Sequence, residues 1–335
     1  MLSQKNQQKN LDFLIDLAQK KGWQINYSQV NKVLKKEKPR FLYFPFTDSA
    51  GKEFFYKGCL IGGQSLGNNL RKEMAAQVWL ARQGGPVRPV ADFSQEGRVF
   101  WYIGPYYSGK NGIVCLDEDI SLLTLAHMRA LGVEIKKLWQ IKQSQIPRNL
   151  FKELSSAPKN IKTFERLITK TRRYLITLRG AFGKTKLDWS EADEKAILGF
   201  FKSLKKEIVK FQNGRGVLVH GDLAPNNVFF KENKLVIFDW EWVCWTDNLL
   251  LALGIDVANF STRAWLRPEL GKELIAEVKK SPWAKEPFFP KSLTIGLVFS
   301  ILQKIAPMFK FGICQTDYDR RHFNTLIKML RAALV

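Results

Sequence analysis

The stretch GVLVHGDLAPNNVFF (216–230), followed by KLVIFDWE (234–241), decides how this 335-residue chain is read. GVLVH, NVFF and KLVIF are short runs of β-branched and aromatic residues, the composition of strands. Only Lys231 to Asn233 separate the last two, so they read as a hairpin whose ends carry Asn227 and Asp239. Asp222 sits on the loop entering that hairpin, five residues before Asn227. Two carboxylates and an amide oxygen therefore converge at one mouth. They are hard oxygen donors, the kind Mg2+ selects when it also binds phosphate oxygens. Phosphoryl transfer needs little else beyond charge stabilisation and positioning.

The segment resembles the catalytic loop of the aminoglycoside phosphotransferase and choline kinase superfamily, relatives of the protein kinases. That loop reads H-G-D-x-x-x-x-N, and an apolar strand ending in D-x-E follows it. His220, Gly221, Asp222 and Asn227 occupy every fixed position of the first motif, and Asp239 and Glu241 fit the second. Four fixed positions arise by chance in a chain this long on the order of once in a thousand, given average residue usage. The resemblance implies an ATP-dependent phosphotransferase that moves the γ-phosphate of Mg-ATP to a hydroxyl of a small molecule. In that scheme Asp222 accepts or orients the hydroxyl proton, His220 braces the loop, and Asn227 and Asp239 hold Mg2+ on the ATP phosphates. Asp256-Val257-Ala258 resembles the D-[LIV]-[AG] signature whose aspartate supports the catalytic loop, with Asp247 as the other candidate.

Working outward, residues 1–22 read as an amphipathic helix, with Leu11, Leu14, Leu17 and Ala18 at helical spacing and Gly22 as its stop. Residues 23–103 read as an amino lobe. FLYFPF (41–46) and EFFYKGCL (53–60) flank a turn, a helix covers roughly 69–82, and RVFWYI (98–103) is a further strand. Residues 104–335 read as a helical carboxyl lobe holding the catalytic loop and the acceptor site. The whole is an α+β, two-lobed protein-kinase-like plan, with a small antiparallel-sheet amino lobe and a larger helical carboxyl lobe. In kinase-like folds a strand lysine contacts the ATP phosphates and pairs with a helix glutamate. Lys57 and Glu73 stand in that order, Glu73 being the only acid between Glu53 and Asp92, and Lys52 is the fallback lysine. By the same analogy Ile103 to Tyr106 form the hinge that reads adenine. No Gly-rich phosphate loop precedes Lys57, since Gly62, Gly63 and Gly67 follow it.

Composition narrows the class. At 45% hydrophobic and 25% charged, the chain is neither a disordered tail nor a disulfide mini-protein. Cys59, Cys115, Cys244 and Cys314 lie far apart without a CxxC pair, as expected of thiols in a reducing compartment. The polar start MLSQKNQQKN has no signal-peptide stretch, and the twelve uncharged residues between Lys291 and Lys304 are too few to span a bilayer. A cytoplasmic protein without a transmembrane segment is expected. The net charge of +22 favours anionic partners, namely nucleotides, an acceptor bearing phosphate or carboxylate, nucleic acid or an acidic membrane surface. Residues 136–186 concentrate it, with fourteen Lys/Arg against Glu153 and Glu165. The alternative function is a degenerate kinase-like nucleotide-binding module whose basic helices bind an anionic partner. A protein kinase is disfavoured because Gly221 replaces the arginine of its catalytic loop and no D-F-G or A-P-E segment follows.

Overall fold

The computed structural model describes all residues except 1, 37–38, 63–66, 98, 108–111, 115–119, 156–163, 185, 205–215, 232–233, 247–248, 288 and 335. Asp247 and Gly63 therefore lie outside the described residues. The chain forms two compact units, one of Met1–Val114 with Lys231–Glu241, the other of Cys115–Phe230 with Trp242–Val335.

The smaller unit contains α1 (Gln4–Lys21), β1 (Gln24–Ile25), α2 (Tyr27–Leu34), β2 (Phe41–Thr47), β3 (Glu53–Cys59), α3 (Gly67–Arg82), β4 (Asp92–Glu96), β5 (Val99–Pro105) and β6 (Ile113–Val114). Five of its strands make an antiparallel sheet in the order β1-β2-β3-β5-β4. Alternation along each strand sorts side chains to two faces. Leu42, Phe44, Phe46, Tyr56, Val99, Trp101 and Ile103 pack against Leu14 and Leu17 of α1 and Val30, Val33 and Leu34 of α2. Phe41, Cys59, Phe100 and Tyr102 face the other way, onto Leu70 of α3. Lys57, between Tyr56 and Gly58 on β3, falls on this second face.

Several elements differ from their sequence reading for physical reasons. Helix α1 starts at Gln4, capped by Ser3, well before its apolar periodicity begins. Its early turns dock through polarity instead: the Asn10 amide exchanges two hydrogen bonds with the Ile61 backbone, each 3.1 Å. Helix α2, opened by the Asn26 cap, is too short to carry a clear period. Strand β4 reads DFSQE because it lies at the sheet edge, where most of its side chains meet water.

The larger unit holds α4 (Leu125–Gln140), α5 (Arg148–Ser155), α6 (Phe164–Leu178), α7 (Glu191–Leu204), β7 (Val217–Val219) and β8 (Val228–Lys231, whose last residue belongs to the smaller unit). After β9 (Lys234–Ile237), which the smaller unit carries, come β10 (Cys244–Thr246), α8 (Leu249–Arg263), α9 (Pro268–Val278), α10 (Phe289–Lys310) and α11 (Asp317–Leu334). An α+β protein with an antiparallel-sheet unit and a helical unit is what the sequence led us to expect. Strand β10 pairs antiparallel with β7, fixing the entry to the HGD loop.

Helix α10 is the axis of the larger unit, packed by α6, α8 and α11. Among the described residues it is the one helix long and apolar enough to cross a membrane, a length that the interruptions at Lys291 and Lys304 conceal in the sequence. More than half of its most apolar stretch is buried inside the protein, as in a core helix. The basic 136–186 segment is partly neutralised: Lys136 pairs with Glu277, Lys137 with Glu134 and Arg179 with Glu194.

Asp193 ties α7 to α11. It accepts from Arg331 at 2.7 and 2.9 Å and from the Ser190 amide and hydroxyl. Burial pushes its carboxyl up, but the Arg331 and Ser190 bonds outweigh that and hold it below its ordinary 3.8. A depressed carboxylate stabilises the fold above its unfolded pKa and ceases to do so as pH falls through the folded one. Asp193→Asn should therefore be less stable than wild type at pH 6, and thermal melts should show that gap closing below about pH 4.

Candidate functional site

The smaller unit carries Lys57, Glu73, Ile103 and Asp239; the larger carries His220, Asp222 and Asn227. In the smaller unit three of the four are brought together. Lys57 projects from the α3 face of β3, where the first half of α3 presents Glu73. Its Nζ donates to both Glu73 oxygens at 2.7 and 3.0 Å and to Asp239 Oδ1 at 2.7 Å. Tyr102, opposite Lys57 on β5, donates its hydroxyl to Glu73 Oε1 at 2.9 Å and accepts from Gln77. Lys57 is 6% exposed and Glu73 fully buried, whereas the Asp239 side chain is 43% exposed. Burial by itself pulls the Lys57 ammonium down. The two carboxylates overcome it and hold the ammonium well above its usual range.

Asp239 occupies the left-handed region at φ 55°, the one non-glycine residue to do so among those described. Aspartate tolerates that conformation better than most residues, and such backbone clusters at working sites. Strand β9 is anchored behind it, where Ile237 N–H donates to Pro86 O and the strand forms a parallel bridge to Val87. Glu241 pairs with Arg40. Ile103 lies inside β5 with its side chain in the core, and its carbonyl accepts Ala91 N–H at 2.8 Å. Lys52 lies exposed in the β2–β3 turn over Phe54.

In the larger unit the HGD loop is held from below. Asp256, fully buried on α8, accepts the amides of His220 and Gly221, each at 2.8 Å. Burial pushes its carboxyl up, against the pull of those two donors. Gly221 has φ 87°, and a Cβ there would sit 2.3 Å from the Trp242 carbonyl oxygen, so no other residue fits. His220 is buried, and its Nδ1 accepts the Asp222 amide at 3.3 Å. Asn227 donates to the Asp222 carbonyl at 2.9 Å, which turns its own amide oxygen into the available acceptor.

Two residues escaped the sequence reading. Asn259 Nδ2 and an Arg263 guanidinium nitrogen donate to Asp222 Oδ1 at 3.0 and 3.1 Å. Asp256, Asn259 and Arg263 follow at i, i+3 and i+7, one face of α8, so helical spacing counted from Asp256 was the signal. The Asp222 and Arg263 side chains are each 33% exposed and open to a ligand.

The Asp239 carboxylate of the smaller unit and the Asn227 amide oxygen of the larger are each hard oxygen donors of the kind Mg2+ takes. Among the described residues no group of three or more His, Cys, Asp and Glu could hold a metal by itself.

A model of the phosphotransferase enzyme family matches residues 52–277. No curated protein matches the chain in sequence. Among solved structures, an aminoglycoside phosphotransferase from Alicyclobacillus acidocaldarius is similar at 12% identity and TM-score 0.53, covering 91% of this chain and 93% of its own. An amicoumacin kinase in complex with AMP-PNP, Ca2+ and Ami aligns at 13% identity and TM-score 0.53, covering 89% and 87%. A choline/ethanolamine kinase family protein from Mesorhizobium loti does so at 13% and 0.51, covering 87% and 85%. These similarities show a protein-kinase-like fold.

If the Lys57–Glu73 pair is needed mainly for charge balance, Glu73→Leu should destabilise the chain by about 3–5 kcal/mol, because it leaves a buried ammonium short of a counter-ion. Lys57→Met added to Glu73→Leu should restore most of that loss. Urea denaturation of the two variants beside wild type checks it.

Proposed function

This chain belongs to the phosphotransferase enzyme family, and we propose that it transfers the γ-phosphate of ATP to a hydroxyl group of a small molecule in the cytoplasm. The observation that carries the reading is the Lys57 ammonium fixed between Glu73 and Asp239. A lysine so aligned is poised to meet nucleotide phosphates. The Asp239 carboxylate is the more exposed of its two partners and the one a cation would meet.

In this reading Asp239 and Asn227 are the ligands of Mg2+, which when bound neutralises charge on the phosphate oxygens. Asp222 takes the proton of the acceptor hydroxyl as its oxygen attacks the γ-phosphorus, and ADP leaves with the bridging electron pair. Asn259 and Arg263 hold the Asp222 carboxylate on one oxygen. Its second oxygen is then the one that meets the hydroxyl. His220 keeps the loop backbone in place through its Nδ1, which accepts the Asp222 amide. A guanidinium beside the carboxylate, in a chain of net charge +22, favours an acceptor that carries phosphate or carboxylate near the reacting hydroxyl.

The test is nucleotide titration followed by thermal stability, then ADP release over a panel of hydroxylated acceptors. Wild type should show an ATP-induced rise in melting temperature that requires Mg2+, and Asp239→Ala should lose it. Asp222→Asn should keep the rise while its ADP release falls roughly a hundredfold or more. Binding of Mg-ATP to Asp239→Ala as tightly as to wild type would refute the assignment.

A further inference from the structure

In protein kinases a Gly-rich loop covers the nucleotide phosphates, and no such loop precedes Lys57 in this chain. The run KKEKPR (35–40) leads into β2 instead, with four cations and one acid in six residues. Sheet topology makes room for it. Strand β1 pairs with Phe46 and Thr47, at the far end of β2, so the chain reaches Phe41 from α2 and not from a hairpin turn. Of this run, Lys35, Lys36, Pro39 and Arg40 are among the described residues.

Two of these cations come onto the sheet face that holds Lys57. Phe41 and Tyr43 share that face by alternation, and Tyr43 stands opposite Lys57 in the β2–β3 register. The Arg40 guanidinium carbon lies 5.9 Å from the Phe41 ring centroid, and Lys57 Nζ lies 5.0 Å from the same centroid. Lys36 Nζ lies 4.9 Å from the Tyr43 ring centroid and donates to the Tyr43 hydroxyl. Three cations thus gather over two rings that are two residues apart on one strand. Glu241, 3% exposed, accepts from Arg40 and fixes its guanidinium beside the turn that carries Asp239. The Arg40 side chain is nevertheless 40% exposed, and Lys36 is exposed as well. Arg88, another cation of this unit, is closed off between the Phe55 and Phe238 rings.

We propose that Lys36 and Arg40 hold phosphate oxygens of the nucleotide through side-chain charge, in place of the backbone amides of a Gly-rich loop. The inference rests on the reading of Lys57 and Asp239 as phosphate-side residues. Lys57 already answers two carboxylates, so by itself it is a poor match for a triphosphate. A guanidinium adds a planar fork of N–H donors that suits two phosphate oxygens, and an ammonium adds a point charge. The two kinds of grip differ in a way that can be measured. Backbone amides carry no net charge and survive side-chain substitution, whereas a side-chain grip is lost with one charge and weakens as salt screens it.

The experiment titrates adenosine and Mg-ATP into wild type, Lys36→Gln, Arg40→Gln and Arg40→Lys by calorimetry. Lys36→Gln and Arg40→Gln should each weaken Mg-ATP binding about ten- to a hundredfold, the weight of hydrogen bonds to a charged group, and leave adenosine binding unchanged. Arg40→Lys keeps a counter-charge for Glu241 but loses the fork, so its Mg-ATP affinity should fall between wild type and Arg40→Gln. Lys36 lies at the surface, so its variant reports even where Arg40→Gln, which strands the buried Glu241, fails to fold. Raising the salt concentration should weaken Mg-ATP binding more steeply in wild type than in Lys36→Gln. Folded variants that bind Mg-ATP as wild type does, or that lose adenosine and Mg-ATP alike, overturn the side-chain grip and leave the phosphotransferase reading intact. Absence of Mg-ATP binding in wild type overturns both.

Discussion

An ammonium taken out of water must be surrounded by negative charge or lose its proton, and the smaller unit is arranged around that requirement at Lys57. Strand alternation puts Lys57 on the sheet face that α3 covers, and α3 answers with Glu73 at a buried position. Tyr102 is placed opposite Lys57 by the β3–β5 register and donates a further hydrogen bond to Glu73. Asp239 supplies the second negative charge, from an otherwise unfavourable left-handed backbone. The three side chains carry one positive and two negative charges. Of the two carboxylates, Asp239 is the one open to solvent.

The larger unit meets a different constraint, a sharp loop that must present one carboxylate. Its amides cannot pair with a neighbouring strand, so a buried aspartate takes them. Asp256, Asn259 and Arg263 on one face of α8 then serve the loop in sequence, the first holding its backbone and the other two its reactive side chain. The axis helix α10 packs against α8, so rigidity at the loop derives from the core of the unit rather than from the loop itself.

Much of this was legible in the chain because it is local. The HGD loop, the strands on either side of it and the order of Lys57 and Glu73 are properties of short segments, and short segments keep their meaning out of context. Asp256 was legible through its motif, yet Asn259 and Arg263 were not, because nothing in a lone polar residue on a helix says which loop it will meet. Helix α2 and strand β4 were missed for opposite reasons, one too short for a period and the other too exposed to need one. Arg88 was illegible altogether. A single arginine between prolines carries no local signal, and its burial depends on Phe55, Gly104 and Phe238, which the sheet assembles from three distant stretches.

The net charge of +22 invites the conclusion that every site on this protein is positive. The geometry argues otherwise. Lys136, Lys137 and Arg179 of the basic segment are paired with Glu277, Glu134 and Glu194, and its other described charges on α6 lie mostly on an exposed, screened face. Glu73 and Asp239 stand against Lys57 and the nearby Arg88, and Arg263 stands against Asp222. Charges within a few ångströms in a poorly solvated setting outweigh many at the Debye distance. The electrostatics of each site therefore follows from these few buried or half-buried groups rather than from the net charge.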